Sequence, residues 1–558
     1  RSLGLDRGLP FPLTDLARSD TLLLWGANPA DTMPPLMQHV DAMRGAGGRL
    51  VVVDPRRTAT AAVADLHLKP APGSDLVLAL GMLQLAVADD LVDHAYLEDR
   101  TTGWPEVAAT LAAFTPDVVA ARTGVDPADL AAAVAGLAAE RSVLLTGRGP
   151  EQQVDGVDTV TACINLVLAL GKVGRPASGW GCLTGQANGQ GGREHGQKAD
   201  QLPGYRSITD PAHRAAVAAV WGVDPAALPG PGRPAVDLLA SLGRPGGLRA
   251  LLVAGSELTV AAPDSRGVEG RLRALDLLAV LDTLPTPTAS LAHVVLPVAA
   301  WGEVDGTTTN LEGRVQRRKP GCVPPAGTRS DLEVIVDLAG RLGAGALFPT
   351  AAPSVVFDEL CRVSAGGTAD YSGMSFDRLA DGPGLHWPCP RPGHPGTPRV
   401  LTGGSALADG RFRLVAVTPR DDRPATDDDF PVWLVTGRHR EAYNSGTQTG
   451  RLPRLADARP EPRLLVHPTL AATLGVADGD PVVVESRHGR MTTRVSCSDE
   501  LAPGVVWAPI HWGGPDAVNA LIGPAVDPVS AMPGFKGVPV RLRPAAPGTV
   551  ARRWSRAT

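Results

Sequence analysis

Apolar residues in this chain come in short unbroken blocks, each stopped by a glycine or a polar turn. Thr21–Trp25 (TLLLW) runs into GANPADT, Arg49–Val53 (RLVVV) into DPRRT, and Arg141–Thr146 (RSVLLT) into GRGPEQ. Leu248–Glu257 (LRALLVAGSE) and Leu275–Thr283 (LDLLAVLDT) repeat the form. Strands apolar on both faces, separated by helical spacers, predict parallel sheets covered on both sides. One helix is expected after Trp25 out to about Arg44, and a long one over DTVTACINLVLALGKVG. A Pro- and Gly-rich stretch, Asp381–Gly410, breaks the alternation. Beyond it, from about Phe430, short strands are punctuated by tight turns such as DGD and RHGR, which predicts a β-barrel-like unit. The expected fold class is α/β, with parallel-sheet, dinucleotide-fold-like domains followed by a C-terminal β-barrel. The expected division is an α/β core over 1–345, a linker or irregular wrap over 346–429, a barrel over 430–545 and a tail over 546–558.

Composition narrows the class without naming a function. The 558 residues are 44% hydrophobic, more than one ordinary domain holds. A net charge of −5 gives no broad basic field for nucleic acid or an acidic membrane surface. No run of about 20 apolar residues indicates a membrane span. Cys163, Cys182, Cys322, Cys361, Cys389 and Cys497 are far apart, with no metal-knuckle spacing and no disulfide framework. A reduced cytoplasmic protein is expected. The sequence opens on Arg1 in mid-domain texture, and further residues are expected upstream.

Ligands of parallel sheets bind beyond the strand C-termini, where polar loops cluster here. The loop after Trp25, with Gly26, Asn28 and Thr32, offers backbone N–H groups that suit phosphate, although an ordinary tight turn has the same look and G-x-G-x-x-G is absent. Asp54 ends a strand where a carboxylate accepts from a ribose or a purine N–H edge, and Arg56 and Arg57, ahead of Thr58, offer forks for phosphate. Gly73, Ser74 and Asp75 open a helix, for which a plain N-cap is the commoner use. The most polar stretch is GQANGQGGREHGQKADQLPGYR, from Gly185 to Arg206. Gly185, Gly189, Gly191 and Gly192 permit close backbone approach. Gln186, Asn188, Gln190 and Gln197 carry amides that donate and accept, and Arg193 supplies a fork that Glu194 is expected to hold. Thr436, Gly437, Arg438, Asn444 and Ser445 form another polar loop, and Trp512, Asn519 and Lys536 stand out near the C-terminus.

Taken in order, these stretches resemble the molybdopterin oxidoreductases that bind a bis-guanine-dinucleotide molybdenum cofactor. TGQANGQGGREHGQKADQLPGYR is the most specific part and is similar to the assimilatory nitrate reductase branch; VAAWGEVDGTTTNLEGRVQ (298–316) is also family-like. The resemblance implies that Trp25–Thr32, Asp54–Thr58, Gly73–Asp75, Gln152, Asp282, Asp331, Thr436–Ser445, Asn519 and Lys536 fall on cofactor-contacting positions. Arg148 and Arg193 become candidates for a cationic funnel that receives nitrate. Arg148 lies near where relatives of the periplasmic branch carry Met, Glu257 replaces a usual Asn, and Val304 stands where some relatives have Lys. The family's four-cysteine 4Fe-4S motif and its molybdenum-ligating Cys lie upstream of the segment resembling RSLGLDRG, so no metal ligand is assigned here. The implied reaction reduces nitrate to nitrite, with electrons from an NADH-dependent flavoprotein or ferredoxin. Formate dehydrogenase, and a scaffold or electron-transfer subunit that has lost the metal, are the alternatives. The loops at Trp25–Thr32, Asp54–Thr58, Gly185–Arg193, Thr436–Ser445 and Asn519 are expected to meet in one cleft.

Overall fold

The computed structural model describes residues 1–6, 8–184 and 186–546; the expectation for Gly185 and nearly all of that for the 546–558 tail lie outside them. The first apolar blocks form β1 (Thr21–Trp25), β2 (Arg49–Val53), β3 (Leu66–Leu68), β4 (Ser142–Thr146) and β5 (Gly179–Cys182). They make one parallel sheet in the order β3-β2-β1-β4-β5. Both faces are covered, which is why the strands are apolar throughout. Leu22, Leu24, Leu50, Val52, Val143 and Leu145 pack on Leu16, Val40 and Met43. Leu23, Trp25, Val51, Val53 and Leu144 face the helices Asp75–Ala88, Pro127–Ala138 and Gly156–Ala169. The single helix expected after β1 is broken into Pro29–Thr32, a 3-10 turn Pro34–Leu36 and the helix Met37–Gly45. Pro34 and Pro35 lack the N–H groups a continuous helix needs.

A second parallel sheet holds β6 (Ala250–Ala254), β7 (Leu277–Asp282) and β8 (Val294–Pro297) in the order β8-β7-β6. Val253, Leu278 and Val280 pack against Val268 and Leu272 of the helix Ser265–Arg273. Leu252, Leu277 and Val294 are 43–50% exposed. A hairpin follows, β9 (Gly306–Thr309) with β10 (Arg314–Arg318), and the short strand Leu385–His386 pairs with it. Six strands then close a barrel: β11 (Val432–Gly437), β12 (Arg463–Val466), β13 (Pro481–Glu485), β14 (Arg490–Cys497), β15 (Val505–Pro509) and β16 (Val538–Pro544). Alternation along β13 and β14 points Val482, Val484, Met491 and Val495 into the barrel core. No helix of the described residues is long and apolar enough to cross a membrane.

Candidate functional site

The first sheet reverses its strand order between β1 and β4, and the loops leaving these two strands pack backbone on backbone. The Gly147 N–H donates to the Trp25 carbonyl at 2.8 Å, and the Gly149 N–H to the Gly26 carbonyl at 3.0 Å. Gly26 has φ +58°, and a Cβ there would lie 2.4 Å from Pro150 Cδ. A Cβ on Gly147 would lie 2.6 Å from the Gly26 oxygen. Glycine is therefore a steric requirement at this switch point, where open α/β sheets leave a crevice.

The crevice is a cavity of about 370 Å³ roofed by the barrel. Gly26, Asn28 and Thr32 line it from the β1 loop, and Asp54, Arg56 and Thr58 from the β2 loop. Gly73, Asp75, Arg148 and Gln152 continue the wall, Gln186 and Gly189 enter from the polar stretch, and Thr436, Gly437, Arg438 and Lys536 come from the barrel. Thus four of the five expected loops meet. A second cavity of about 500 Å³ adjoins, sharing Gly73, Gln153, Lys536 and Gly537.

Four cations, Arg56, Arg148, Arg438 and Lys536, face two carboxylates, Asp54 and Asp75. Burial pushes the Asp54 carboxyl up to about 6, although the Arg56 N–H donates to it at 2.9 Å. Asp75 is also raised by burial; it accepts from Trp25 Nε1 at 2.8 Å and Gln153 Nε2 at 2.6 Å. Burial lowers the Lys536 ammonium to about 8, and Arg438, Arg56 and Arg148 push it the same way while Asp54 opposes them. Its Nζ donates to the Thr436 hydroxyl at 3.0 Å and to the Thr436 carbonyl. Arg56 lies over the Trp507 ring, 4.5 Å from its centroid.

Other candidates sit elsewhere. Trp25 is buried beneath the cleft and contributes its N–H to Asp75, while the Ser74 hydroxyl donates to the Ala71 carbonyl. Arg57 is exposed and does not line the cavity. Arg193 does not line it either, and Glu194 does not hold it, contrary to expectation. Asp6 does, at 2.6 Å to Nε and 2.7 Å to Nη2. Glu194 is buried and turned away from its neighbour, accepting from Trp387 Nε1 at 2.7 Å, from the Thr309 hydroxyl at 2.9 Å and from the Tyr371 hydroxyl. Burial pushes its carboxyl up to about 7 against those three donors. Asn188 takes the Thr309 N–H at 3.0 Å, and Gly192 would place a Cβ 2.2 Å from Gln197 Oε1, so both serve the packing of the polar stretch on its neighbours.

Asn444 bridges Arg438 Nη2 at 2.5 Å and Gln186 Nε2 at 3.5 Å; Ser445 bonds Thr447. Trp512 is buried beside His439 and His511. The expectation that Asn519 joins the cleft does not hold: it is buried against the second sheet's side, with Nδ2 on the Val260 carbonyl at 2.7 Å. Asp282 caps the Thr283 N–H at 2.7 Å, and Asp331 opens the helix Asp331–Arg341, near enough to Asp282 for the two charges to oppose each other. Asp282 ends β7 of the second sheet, and Asn519 and Asp331 lie beside that sheet rather than over the first. Sequence reasoning missed Gln153, Glu151 and Cys182 around the cleft floor. The repeated amide in EQQ was the available signal for Gln153; nothing local marks Cys182. His511, a histidine whose sequence reading is structural rather than ligating, accepts the His439 N–H at 2.9 Å on its ring and bonds the Asn444 carbonyl at 2.6 Å, closing the barrel loop over the cleft. Among the described residues, no group of three or more His, Cys, Asp or Glu forms a metal-binding cluster.

Comparison with known proteins accounts for this arrangement. Residues 8–341 match the family model "Molybdopterin oxidoreductase", and residues 432–539 match "Molydopterin dinucleotide binding domain". An assimilatory nitrate reductase catalytic subunit of Bacillus subtilis is 39% identical over 98% of this chain and 77% of its own length. An F420-dependent formate dehydrogenase subunit alpha of Methanococcus maripaludis is 33% identical over 94% of this chain and 76% of its own. An assimilatory nitrate reductase of Haloferax mediterranei is 36% identical over 98% and 76%. The solved structure of acetylene hydratase from Pelobacter acetylenicus superposes with a TM-score of 0.74 at 20% identity, over 96% of this chain and 81% of that one. With a glycine-built crevice at the strand reversal, cations inside it and a dinucleotide-binding barrel above it, this chain belongs to the molybdopterin oxidoreductase family.

Proposed function

We propose that this chain is the catalytic subunit of a molybdenum-dependent nitrate reductase of nitrate assimilation, reducing nitrate to nitrite with two electrons and two protons. The observation that carries the reading is the 39% identity to an assimilatory nitrate reductase over 98% of the chain, with Arg148 standing in the cleft wall. The residues fit a molybdopterin dinucleotide. Arg56, Arg438 and Lys536 suit its phosphates, the uncrowded backbones of Gly73 and Gly189 allow close approach, and Asp54 and Asp75 suit N–H edges. On the second sheet's side, the buried Asn519 Oδ1 and Ser265 Oγ have no partner among the described residues, which suits a second polar ligand half there, together with Asp282 and Asp331. The bound molybdenum group supplies the two-electron oxygen-transfer chemistry. The chain's own part is to hold the dinucleotides, exclude water under the barrel and receive a small planar anion beside Arg148.

The reading places the protein in the cytoplasm and supplies it with electrons through a 4Fe-4S cluster from an NADH-dependent flavoprotein or ferredoxin. It divides the chain into a cofactor-binding core over 1–345, a wrap over 346–429 and a dinucleotide-binding barrel over 430–545. The six cysteines offer no cluster ligand set, so the 558 residues alone are expected to be inactive. Formate dehydrogenase is the second reading, favoured by the Methanococcus relative. Anaerobic assay of a molybdenum-loaded form that also carries the cluster-ligating cysteines and the metal thiolate decides: nitrite formed from nitrate with reduced viologen supports the proposal. Formate oxidation without nitrate reduction overturns it and leaves the family intact.

A further inference from the structure

Thr146 ends β4 and Cys182 ends β5, and the two residues are paired in register just before Gly147 and Leu183, which line the cleft. Glu151, one turn after β4, lies over both. Its Oε1 accepts the Cys182 thiol at 2.8 Å and the Thr146 hydroxyl at 3.2 Å, while its Oε2 meets Arg148 Nη1 at 2.7 Å. Arg148 Nη2 is 3.7 Å from Cys182 Sγ. Both oxygens of this one carboxylate are thus spoken for, and the arginine it grips lines the cavity. Arg148 also shares the cavity with Arg438 and Lys536, and its charge presses both toward their neutral forms. Repulsion of that kind turns an unanchored guanidinium outward into solvent. The Glu151 carboxylate is the counter-charge on Arg148's own turn that opposes this.

We propose that Glu151 is a positioning residue that holds the Arg148 guanidinium in the cleft to receive the planar nitrate anion, with Thr146 and Cys182 fixing the carboxylate from below. The inference rests on the nitrate reductase reading and adds how the anion-receiving group is aimed. A guanidinium tethered on one edge keeps its remaining N–H groups for two oxygens of an oxyanion, and pre-orientation spares the cost of ordering it on binding.

Glu151→Gln tests this, because the amide keeps the volume and the acceptor for Cys182 and Thr146 but removes the charge that grips Arg148. Nitrate binding to the oxidised, molybdenum-loaded enzyme is measured by calorimetry without a donor, beside KM, kcat and molybdenum per chain. In E151Q, Kd and KM are expected to rise about tenfold or more, the loss of one charge-assisted hydrogen bond, with kcat within about twofold and molybdenum content unchanged. Arg148→Ala should raise Kd at least as much, and the double variant no further. Glu151→Asp, charged but one methylene shorter, should show a smaller rise, and it decides the matter if E151Q fails to load molybdenum. Unchanged Kd in the loaded Glu151 variants while R148A raises it overturns the inference alone. So does a fall in kcat and molybdenum content at unchanged Kd, the mark of a merely structural role. A wild-type enzyme that neither binds nitrate nor forms nitrite from it with reduced viologen overturns the functional reading and the inference with it.

Discussion

The two parallel sheets of this protein are built from similar apolar blocks and end in similar polar loops, yet they do different work. In the first, every residue of β1 and β4 is buried, and helices cover both faces. Its loops leave Asp54, Arg56 and Arg148 facing a cavity. In the second, Leu252, Leu277 and Val294 stand exposed on one face. Its loops turn their carboxylates onto their own backbone: Glu257 takes the Thr259 and Thr288 N–H groups at 3.0 Å each, and Asp282 takes Thr283. Asp54 also accepts a loop N–H, that of Arg56 at 2.9 Å, so backbone capping does not separate the two sheets; the cavity under the barrel does, because the loops of the first sheet line it and those of the second do not.

The contrast can be broken most sharply in the cores. Leu23→Asp buries a carboxylate without a partner in the first sheet and is expected to abolish the folded state, read as lost cooperative unfolding by circular dichroism. Gly26→Val should come next. With φ +58° and a Cβ 2.4 Å from Pro150, the loop must move, costing about 1–3 kcal/mol or more, and molybdenum content should fall with the urea midpoint. Lys536 sharpens the electrostatic side. Its ammonium, lowered to about 8, serves phosphate only while protonated, so dinucleotide retention should weaken as pH rises through about 8. Lys536→Met should remove that step when released cofactor is followed by fluorescence. The smallest effect is expected from Leu252→Asp on the exposed face of β6, within about 0.5–1 kcal/mol of the parent chain in urea. A loss as large as that of Leu23→Asp would erase the distinction between the sheets.

Glu194 adds a pH test inside the polar stretch. Its folded-state carboxyl, raised to about 7, lies above its unfolded value near 4.5, so the folded form holds more protons between those limits and stability falls as pH rises across them. Glu194→Gln should flatten that slope in urea titrations; an unchanged slope assigns it to another group.

Strands were legible in the sequence where burial on both sides forces an uninterrupted apolar run, as in TLLLW and RLVVV, and the barrel where turns such as DGD cut short runs. Asp54 and Lys536 were legible through resemblance, since nothing local says that residues so far apart share a cavity. The polar stretch misled in part. Its fork and carboxylate, Arg193 and Glu194, are adjacent in sequence but leave their helix in different directions. Asp6 meets one, while Thr309, Tyr371 and Trp387 meet the other. Contacts spanning more than a hundred residues leave no periodic trace, and neither does that of Cys182 beneath Glu151, set by the pairing of β4 with β5.

The cleft joins Gly26 to Lys536, so its floor is synthesised long before its roof. At roughly 5–20 residues per second, about 25–100 s separate the two on the ribosome. During that interval the Asp54 and Arg148 loops face water with no barrel above them. A dinucleotide bound then would lack the Arg438 and Lys536 contacts. The full set of contacts to a dinucleotide therefore exists only once the C-terminal barrel has been made.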